Sequence, residues 1–334
     1  MFIKKLYNDL DTIVDETLQG VRLITQDSYS EMLPGTRISV RRPEYRKPKG
    51  YVRVVSGGGA GHEGPPYVSC RPGNNDAYAM GDIFAAPSAN QFLRAIQEVA
   101  DGSPVIMPIW NHAGDVLNAK LCIQMAKALG IEVHMALVYN DVASAPKGHD
   151  LERRAIGEGC YDLIGIMAEC GEPVEEILRV NDKVNRFTRT YGVGIRSAIH
   201  PLTGLPIMPM PDDEIELGIG EHGESSGNRI KLPRSRELAR LVCDKILDDM
   251  PFERGEEVTI NLAGLGGMTW TELDIFYKDV YEYLMGDKGL KLYKGSVANS
   301  GTQELGGIIL ALGKVDEEIK KWDNMPLPER CGKK

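Results

Sequence analysis

Basic charge, paired cysteines and long apolar runs are what this chain has least of. Its 39 Lys+Arg stand against 48 Asp+Glu, a formal net charge of -9 at pH 7. That leaves no basic footprint for a nucleic-acid partner. The six cysteines, Cys70, Cys122, Cys160, Cys170, Cys243 and Cys331, lie far apart with no C-x-x-C pair. A disulfide framework and a thiolate zinc site are set aside, leaving reduced thiols in a cytoplasmic protein as the expectation. No apolar run reaches the length of a membrane span. Asn8, Asp9 and Asp11 follow Met1–Lys5 and exclude a signal-peptide core. Two further signatures are missing: there is no G-x-x-x-x-G-K-[ST], and His62-Glu63 lacks the second histidine of H-E-x-x-H.

What is present is an ordinary globular composition, 42% hydrophobic and 26% charged over 334 residues. That length favours two domains over one core. Residues 5–20 read as a helix with Leu6, Leu10, Ile13, Val14 and Leu18 on one face. Strands at Tyr51–Val55, Pro104–Ile109 and Glu132–Tyr139 alternate with helices at Gln91–Val99 and Asp115–Gly130. This alternation predicts an α/β domain with a largely parallel sheet, whose ligand sits at the carboxyl ends of the strands. A helix is read at Glu172–Tyr191, before a Pro- and Gly-rich stretch, His200–Pro211. The first α/β domain is therefore placed at 1–190 and a second at 191–334, its C-terminal tail packing back on the first. In the second, helices are read at Ser235–Asp249 and Thr269–Leu284. Strands are read at Glu257–Leu262, Lys291–Val297 and Gly306–Leu312, and the tail from Trp322 is read as irregular.

The run Ser56-Gly57-Gly58-Gly59-Ala60-Gly61-His62-Glu63 follows the first of those strands and reads as a glycine loop. Such a loop lets backbone N–H groups approach a ligand, and the histidine after it can exchange protons near neutral pH. His62, His112 and His222 are the three of six histidines in Gly-flanked or turn contexts. His134 falls in a strand, while His149 and His200 fall in polar loops. Asp115 reads both as an N-cap for its helix and as a carboxylate placed to take a hydroxyl proton. Gly218, Gly220 and Gly223 form a G-x-G-x-x-G, but Ser225-Ser226-Gly227-Asn228 stands where a helix would have to begin. A dinucleotide cradle is discounted there.

The glycine run resembles the dihydroxyacetone kinase family, substrate-binding subunit. So do Asn111-His112-Ala113-Gly114-Asp115-Val116-Leu117-Asn118 and Glu216-Leu217-Gly218-Ile219-Gly220-Glu221-His222-Gly223-Glu224. Asp9–Glu16, Asn140-Asp141-Val142-Ala143, Arg153-Arg154, Lys314-Val315-Asp316 and Trp322-Asp323 match in the same order. The resemblance implies two α/β domains, a homodimer, and a short ketose held as a covalent hemiaminal on His222. It implies Asp115 as the base for the substrate hydroxyl and His62 as a hydrogen-bonding proton carrier. Gly58, Gly59, Ala60, Gly61, Trp110, Asn111 and His112 would surround the substrate. It further implies that ATP or ADP with Mg2+ sits on a helical nucleotide-binding partner subunit, or that a phosphotransferase-system relay replaces ATP. No cofactor and no metal are expected on this chain, and no fused nucleotide domain beyond Lys334.

The departures bear on which ketose fits. Trp110 stands where the family has a substrate-contacting lysine, and His112 where it has a tyrosine. Ala85-Ala86-Pro87 replaces Thr-Ser-Pro, and Gly64-Pro65-Pro66 alters the loop after His62-Glu63. Losing a cation and two hydroxyls while gaining an indole and an imidazole changes the set of matched substrates. Dihydroxyacetone or a four-carbon relative is expected for a kinase subunit. The alternative is a non-catalytic ketose sensor or coactivator; an isomerase- or lyase-like use of the pocket is weaker.

Overall fold

The computed structural model describes residues 5–25, 29–62, 70–157, 162–299, 301–302 and 304–328. Glu63, the Gly64–Pro66 departure, Cys160 and Cys331 lie outside them. The chain builds two six-stranded sheets of mixed α/β type. The first contains β1 (Ser30–Met32), β2 (Ile38–Arg41), β3 (Arg53–Ala60), β4 (Ala77–Ile83), β5 (Val105–Trp110) and β6 (Val133–Val138), in the order β1-β2-β4-β3-β5-β6. Strands β4, β3, β5 and β6 run parallel, while β1 and β2 pair antiparallel at one edge.

Alternating side chains give this sheet two apolar faces. Val55 and Met107 pack with Phe92 and Ile96 of helix α2 (Ala89–Val99) and Cys122 of α3 (Ala113–Ala128). Their neighbours Val54 and Ile106 pack on the other side, with Met167 of α4 (Ile164–Cys170) and Ile177 of α5 (Val174–Phe187). Helix α2 begins with a reciprocal capping box between Ser88 and Gln91, which satisfies two otherwise orphaned N–H donors. Helix α1 (Ile13–Thr25) covers Ala60, Met80 and Ile83 at the strand ends.

The second sheet is mostly antiparallel, ordered β11-β10-β12-β7-β8-β9. Its strands are β7 (Thr188–Arg196), β8 (Glu214–Leu217), β9 (Asn228–Lys231), β10 (Glu257–Gly264), β11 (Lys291–Asn299) and β12 (Gly306–Lys314). Ile308, Leu310 and Leu312 face helices α6 (Ser235–Asp249) and α7 (Trp270–Tyr281). Ala311 turns to the side of α5, where Ile319 and Trp322 of α8 (Glu317–Asp323) join Val52, Val54 and Ile106.

Three sequence readings change. The helix expected through Tyr191 ends at Phe187, because Thr188–Tyr191 is already strand and wholly buried. The helix read at residues 5–20 runs instead over Ile13–Thr25, with Leu6 and Leu10 exposed; the tail is irregular as read once α8, capped by Asp316 accepting from Ile319 N–H at 2.9 Å, ends at Asp323. The glycine run is not a loop: Gly57, Gly58 and Gly59 lie in β3, whose residues pair with β4. Gly57 and Gly59 are glycines because neighbours crowd them. A Cβ on Gly57 would lie 2.5 Å from the Ala79 carbonyl oxygen, and one on Gly59 2.9 Å from the Ala85 nitrogen.

Behind the Asn74–Asn75 turn, ionic contacts tie β2 to α4. Buried Arg41 donates to Glu169 at 2.7 Å, to the Asn75 carbonyl at 2.9 Å and to the Asn74 carbonyl at 3.0 Å. Lys47 Nζ lies 2.7 Å from Asp76 Oδ2, which also accepts from Val54 N–H at 2.6 Å. Burial drives the Lys47 ammonium below the usual lysine range, against the pull of Asp76.

Candidate functional site

The carboxyl ends of β3 and β5 open into a cavity of about 490 Å³, the size of an ordinary small-molecule site. Ser56, Gly57, Gly58 and Gly59 form one wall; Trp110, His112 and Asp115 form a second; Glu221 and His222, from the second sheet, close the third. The ends of β3 and β5 thus share one crevice, as a ligand site at the carboxyl ends of the strands requires. Ala60, Gly61 and Asn111 do not line it. Asn111 is engaged elsewhere: its amide donates to the carbonyls of Leu151 at 3.1 Å and Arg153 at 2.6 Å. Gly61 takes φ +102, and a Cβ there would strike the Phe84 ring at 2.7 Å.

His62 and His222 are 160 residues apart in sequence, yet their Nε2 atoms meet at 3.2 Å. His62 is held by its Nδ1, 3.2 Å from the Gly59 carbonyl, and by a backbone bridge to Thr302. His222 sits in a turn closed by Gly220 N–H donating to the Glu224 carbonyl at 2.9 Å. Its Nδ1 lies 3.2 Å from Glu224 Oε1, and its backbone N–H donates to Glu224 Oε2 at 3.0 Å. Phe84, at a left-handed φ of 55°, places its ring 5.5 Å from the His222 ring. A bulky residue rarely adopts that backbone conformation.

The proton positions follow from the partners. Burial raises the Glu224 carboxyl, but the hydrogen bond and charge of His222 outweigh it and leave the group at about 2. Glu224 is therefore an acceptor, and His222 Nδ1 carries a hydrogen. The Gly59 carbonyl also accepts only, so His62 Nδ1 carries one as well. Both Nε2 atoms then face each other across 3.2 Å, and a proton placed between them would join the two rings. Burial opposes charge on His222, while the hydrogen bond to Glu224 and the charges of Glu221, Glu224 and Asp115 overcome it, raising the His222 pKa.

Asp115 occupies the first turn of α3, not its cap; the N-cap residue is His112, whose side chain makes no capping hydrogen bond. Burial pushes the Asp115 carboxyl up to about 6, against the charge of His222. Burial, then the charge of His222, moves the His112 pKa down. Three buried atoms around this cavity lack a hydrogen-bond partner: Asp115 Oδ1, His112 Nε2 and Glu221 Oε2. A general base near neutrality, a nucleophile of fixed tautomer and an adjacent proton carrier can together add an imidazole nitrogen to a carbonyl and deprotonate a hydroxyl.

Sequence reasoning missed Glu224, Glu221 and Phe84 as members of this site. The first two were visible as the carboxylates flanking His222 in Glu221-His222-Gly223-Glu224; Phe84 gives no local signal. The G-x-G-x-x-G glycines serve the histidine turn: the chain after Gly223 leads into β9, not a helix. A Cβ on Gly220 would meet Glu224 Oε2 at 2.0 Å. The loop of Asn140-Asp141 and Arg153-Arg154 joins the two sheets. Arg154 donates to Asp141 at 2.8 Å, and Asn140 accepts from Thr190 Oγ1 at 2.9 Å. Among the described residues, no helix is long and apolar enough to cross a membrane.

The Dak1 domain matches residues 20–329. The chain is 31% identical over 330 residues to the PTS-dependent dihydroxyacetone kinase 1, dihydroxyacetone-binding subunit DhaK, of Listeria innocua, covering 98% of each. It is 30% identical to the D-erythrulose kinase of Mycolicibacterium smegmatis, covering 99% of this chain but 56% of that protein. The solved structure of the dihydroxyacetone kinase operon co-activator DhaQ superposes with a TM-score of 0.82 at 25% identity, over 92% of this chain and 93% of that one.

Proposed function

Because this chain belongs to the Dak1 domain family, we propose that it is the ketose-binding subunit of a dihydroxyacetone-type kinase. It takes a short ketose covalently on His222 and presents the hydroxyl to a nucleotide-bearing partner subunit. The observation that carries this reading is the Nε2–Nε2 contact of 3.2 Å between His62 and His222, with His222 Nδ1 anchored on Glu224. As the ketone enters, the bridging proton passes to His62, and the freed His222 Nε2 pair attacks the carbonyl carbon. The C–N bond forms, the carbonyl π pair moves onto oxygen, and His62 Nε2–H delivers the proton there. The alkylated His222 keeps the positive charge and Glu224 remains its counter-ion. A carbonyl is required, so polyols without one are refused. The adduct fixes the remaining hydroxyl near Asp115, whose raised pKa suits it to accept that proton near neutrality. The chain has the dihydroxyacetone-binding subunit's length, and its similarity to an erythrulose kinase supports three- and four-carbon ketoses as the class.

Native mass spectrometry with dihydroxyacetone and erythrulose tests this. One ketose mass should add per chain and vanish in His222→Ala; no adduct with any short ketose sinks the covalent reading. The second reading, a non-catalytic ketose sensor, is favoured by similarity to the co-activator and by Ala85-Ala86. Adduct formation without any ketose phosphate, when ATP and a nucleotide-binding partner are supplied, would select it.

A further inference from the structure

The three-histidine cluster holds more donor atoms than the ketose chemistry uses. His112 is the N-cap residue of α3, yet its side chain makes no capping bond. Its ring lies 5.5 Å from the His222 ring, and its buried Nε2 has no hydrogen-bond partner. One nitrogen each of His112 and His222 and one oxygen of Glu224 lie within 4.8 Å of one another. The His222–Glu224 contact is already 3.2 Å. That equals the edge, roughly 3.3 Å, between two ligands of a tetrahedral ion with bonds near 2.0–2.1 Å. Only the His112 ring must swing inward. The lining is acidic: Asp115, Asp162 and Glu221 line the cavity with no lysine or arginine among its described lining residues, and Arg154, whose charge reaches His112, is paired with Asp141 behind it. Buried polar atoms without partners mark a place where an ion or water belongs. Two imidazoles and a carboxylate converging there match the donor set of a zinc-class ion that keeps one open position.

We propose that His112, His222 and Glu224 bind one divalent transition-metal ion, and that this ion and a ketose exclude each other at His222. The exclusion clause rests on the proposed function; the metal site does not. The His222 nitrogen beside Glu224 is Nδ1. A metal there displaces the Nδ1 hydrogen, and the ring's one remaining hydrogen sits on Nε2, which then has no lone pair to attack a carbonyl, so the ion shuts the site without distorting the fold.

The test uses the full chain, first stripped with EDTA. Titration with Co2+ alone, followed by visible absorption, and with Zn2+ alone, followed by calorimetry, should each saturate at one ion per chain. His112→Gln and Glu224→Gln should each weaken binding by roughly 100-fold, with cooperative thermal unfolding showing that each variant is folded. Absence of saturable binding below roughly 100 µM, or binding indifferent to both variants, overturns the site. In the unmodified chain one equivalent of Zn2+ should abolish the ketose mass adduct, and EDTA should restore it. Simultaneous occupancy by Zn2+ and ketose overturns the exclusion. Failure of the adduct in EDTA, with metal binding intact, removes the covalent reading and leaves the metal site standing.

Discussion

Two clusters of buried ionisable groups share the Asn74–Asn75 turn and are built on opposite rules. On one side, Arg41, Lys47, Asp76 and Glu169 answer one another's charge, and Arg41 also takes the turn's two carbonyls. On the other, Asp115, His112 and Glu221 are buried with polar atoms left unanswered. Both clusters are costly to desolvate. The first recovers most of that cost inside the chain, through ion pairs and the turn's carbonyls, although Lys47 Nζ and Asp76 Oδ1 lack a hydrogen bond there too. The second leaves its three open atoms facing a cavity, for something entering it to answer. Neither buried charge nor a missing hydrogen bond alone therefore marks a site; unpartnered atoms lining a cavity do.

Removing one partner from the closed cluster should have the largest effect on folding. Glu169→Ala strands the Arg41 guanidinium, which is 0% exposed, and should lower stability by about 3–5 kcal/mol, read by urea unfolding. A loss below about 1 kcal/mol would mean that this cluster behaves like surface pairs, and the contrast would collapse.

The open cluster should respond with the opposite sign. In the fold the Asp115 carboxyl titrates at about 6, whereas in the unfolded chain it titrates near 3.9. Between those values the folded state holds the extra proton. Its stabilising contribution is thus present below pH 4 and disappears as pH rises through 6. The loss is on the order of 2 kcal/mol, after allowance for the side chain's partial exposure. Asp115→Asn should remove that loss and raise the unfolding midpoint at pH 8. It should also cut ketose phosphorylation by roughly 10²–10⁴-fold in an assay with a nucleotide-binding partner. With Asp115 intact the phosphorylation rate should climb through pH 6 as the base ionises. A rate falling over that interval would remove Asp115 from the role.

The glycines of β3 sharpen the contrast on a smaller scale. Gly57→Ala drives a methyl into the Ala79 carbonyl and the Phe92 ring and should destabilise by about 1–3 kcal/mol. Gly58→Ala meets only the Tyr78 hydroxyl, at 3.2 Å. Its stability change should stay within about 0.5 kcal/mol, while ketose adduct formation weakens because the methyl narrows the cavity. Equal destabilisation by both would show that the wall tolerates no difference between its two sides.

The alternation of β-branched strands with amphipathic helices made the parallel core of the first sheet legible, because periodicity reports burial directly. Strand β4 was not legible: Ala77-Tyr78-Ala79-Met80-Gly81 has weak strand propensity, and its place is fixed by pairing with β3. The glycine run misled for a related reason. Gly57 and Gly59 are dictated by what lies across from them, which local sequence cannot display. Among the site residues, His62, His112, Asp115 and His222 were recoverable from their Gly-flanked settings and from the family resemblance. Glu224's grip on one imidazole nitrogen, and the unsatisfied atoms of His112 and Glu221, are properties of three-dimensional convergence.

The 160-residue gap between the paired histidines also orders events during synthesis. Chains emerge amino end first, so β3 and β5 leave the ribosome long before residue 222. The chamber closes later still: Gly301 and Ile309 line it, and Val54 and Ile106 pack with Ala311 and Trp322. Under the proposed function a stalled product would carry Asp115 and His62 without a finished pocket, so ketose capture would report a completed fold.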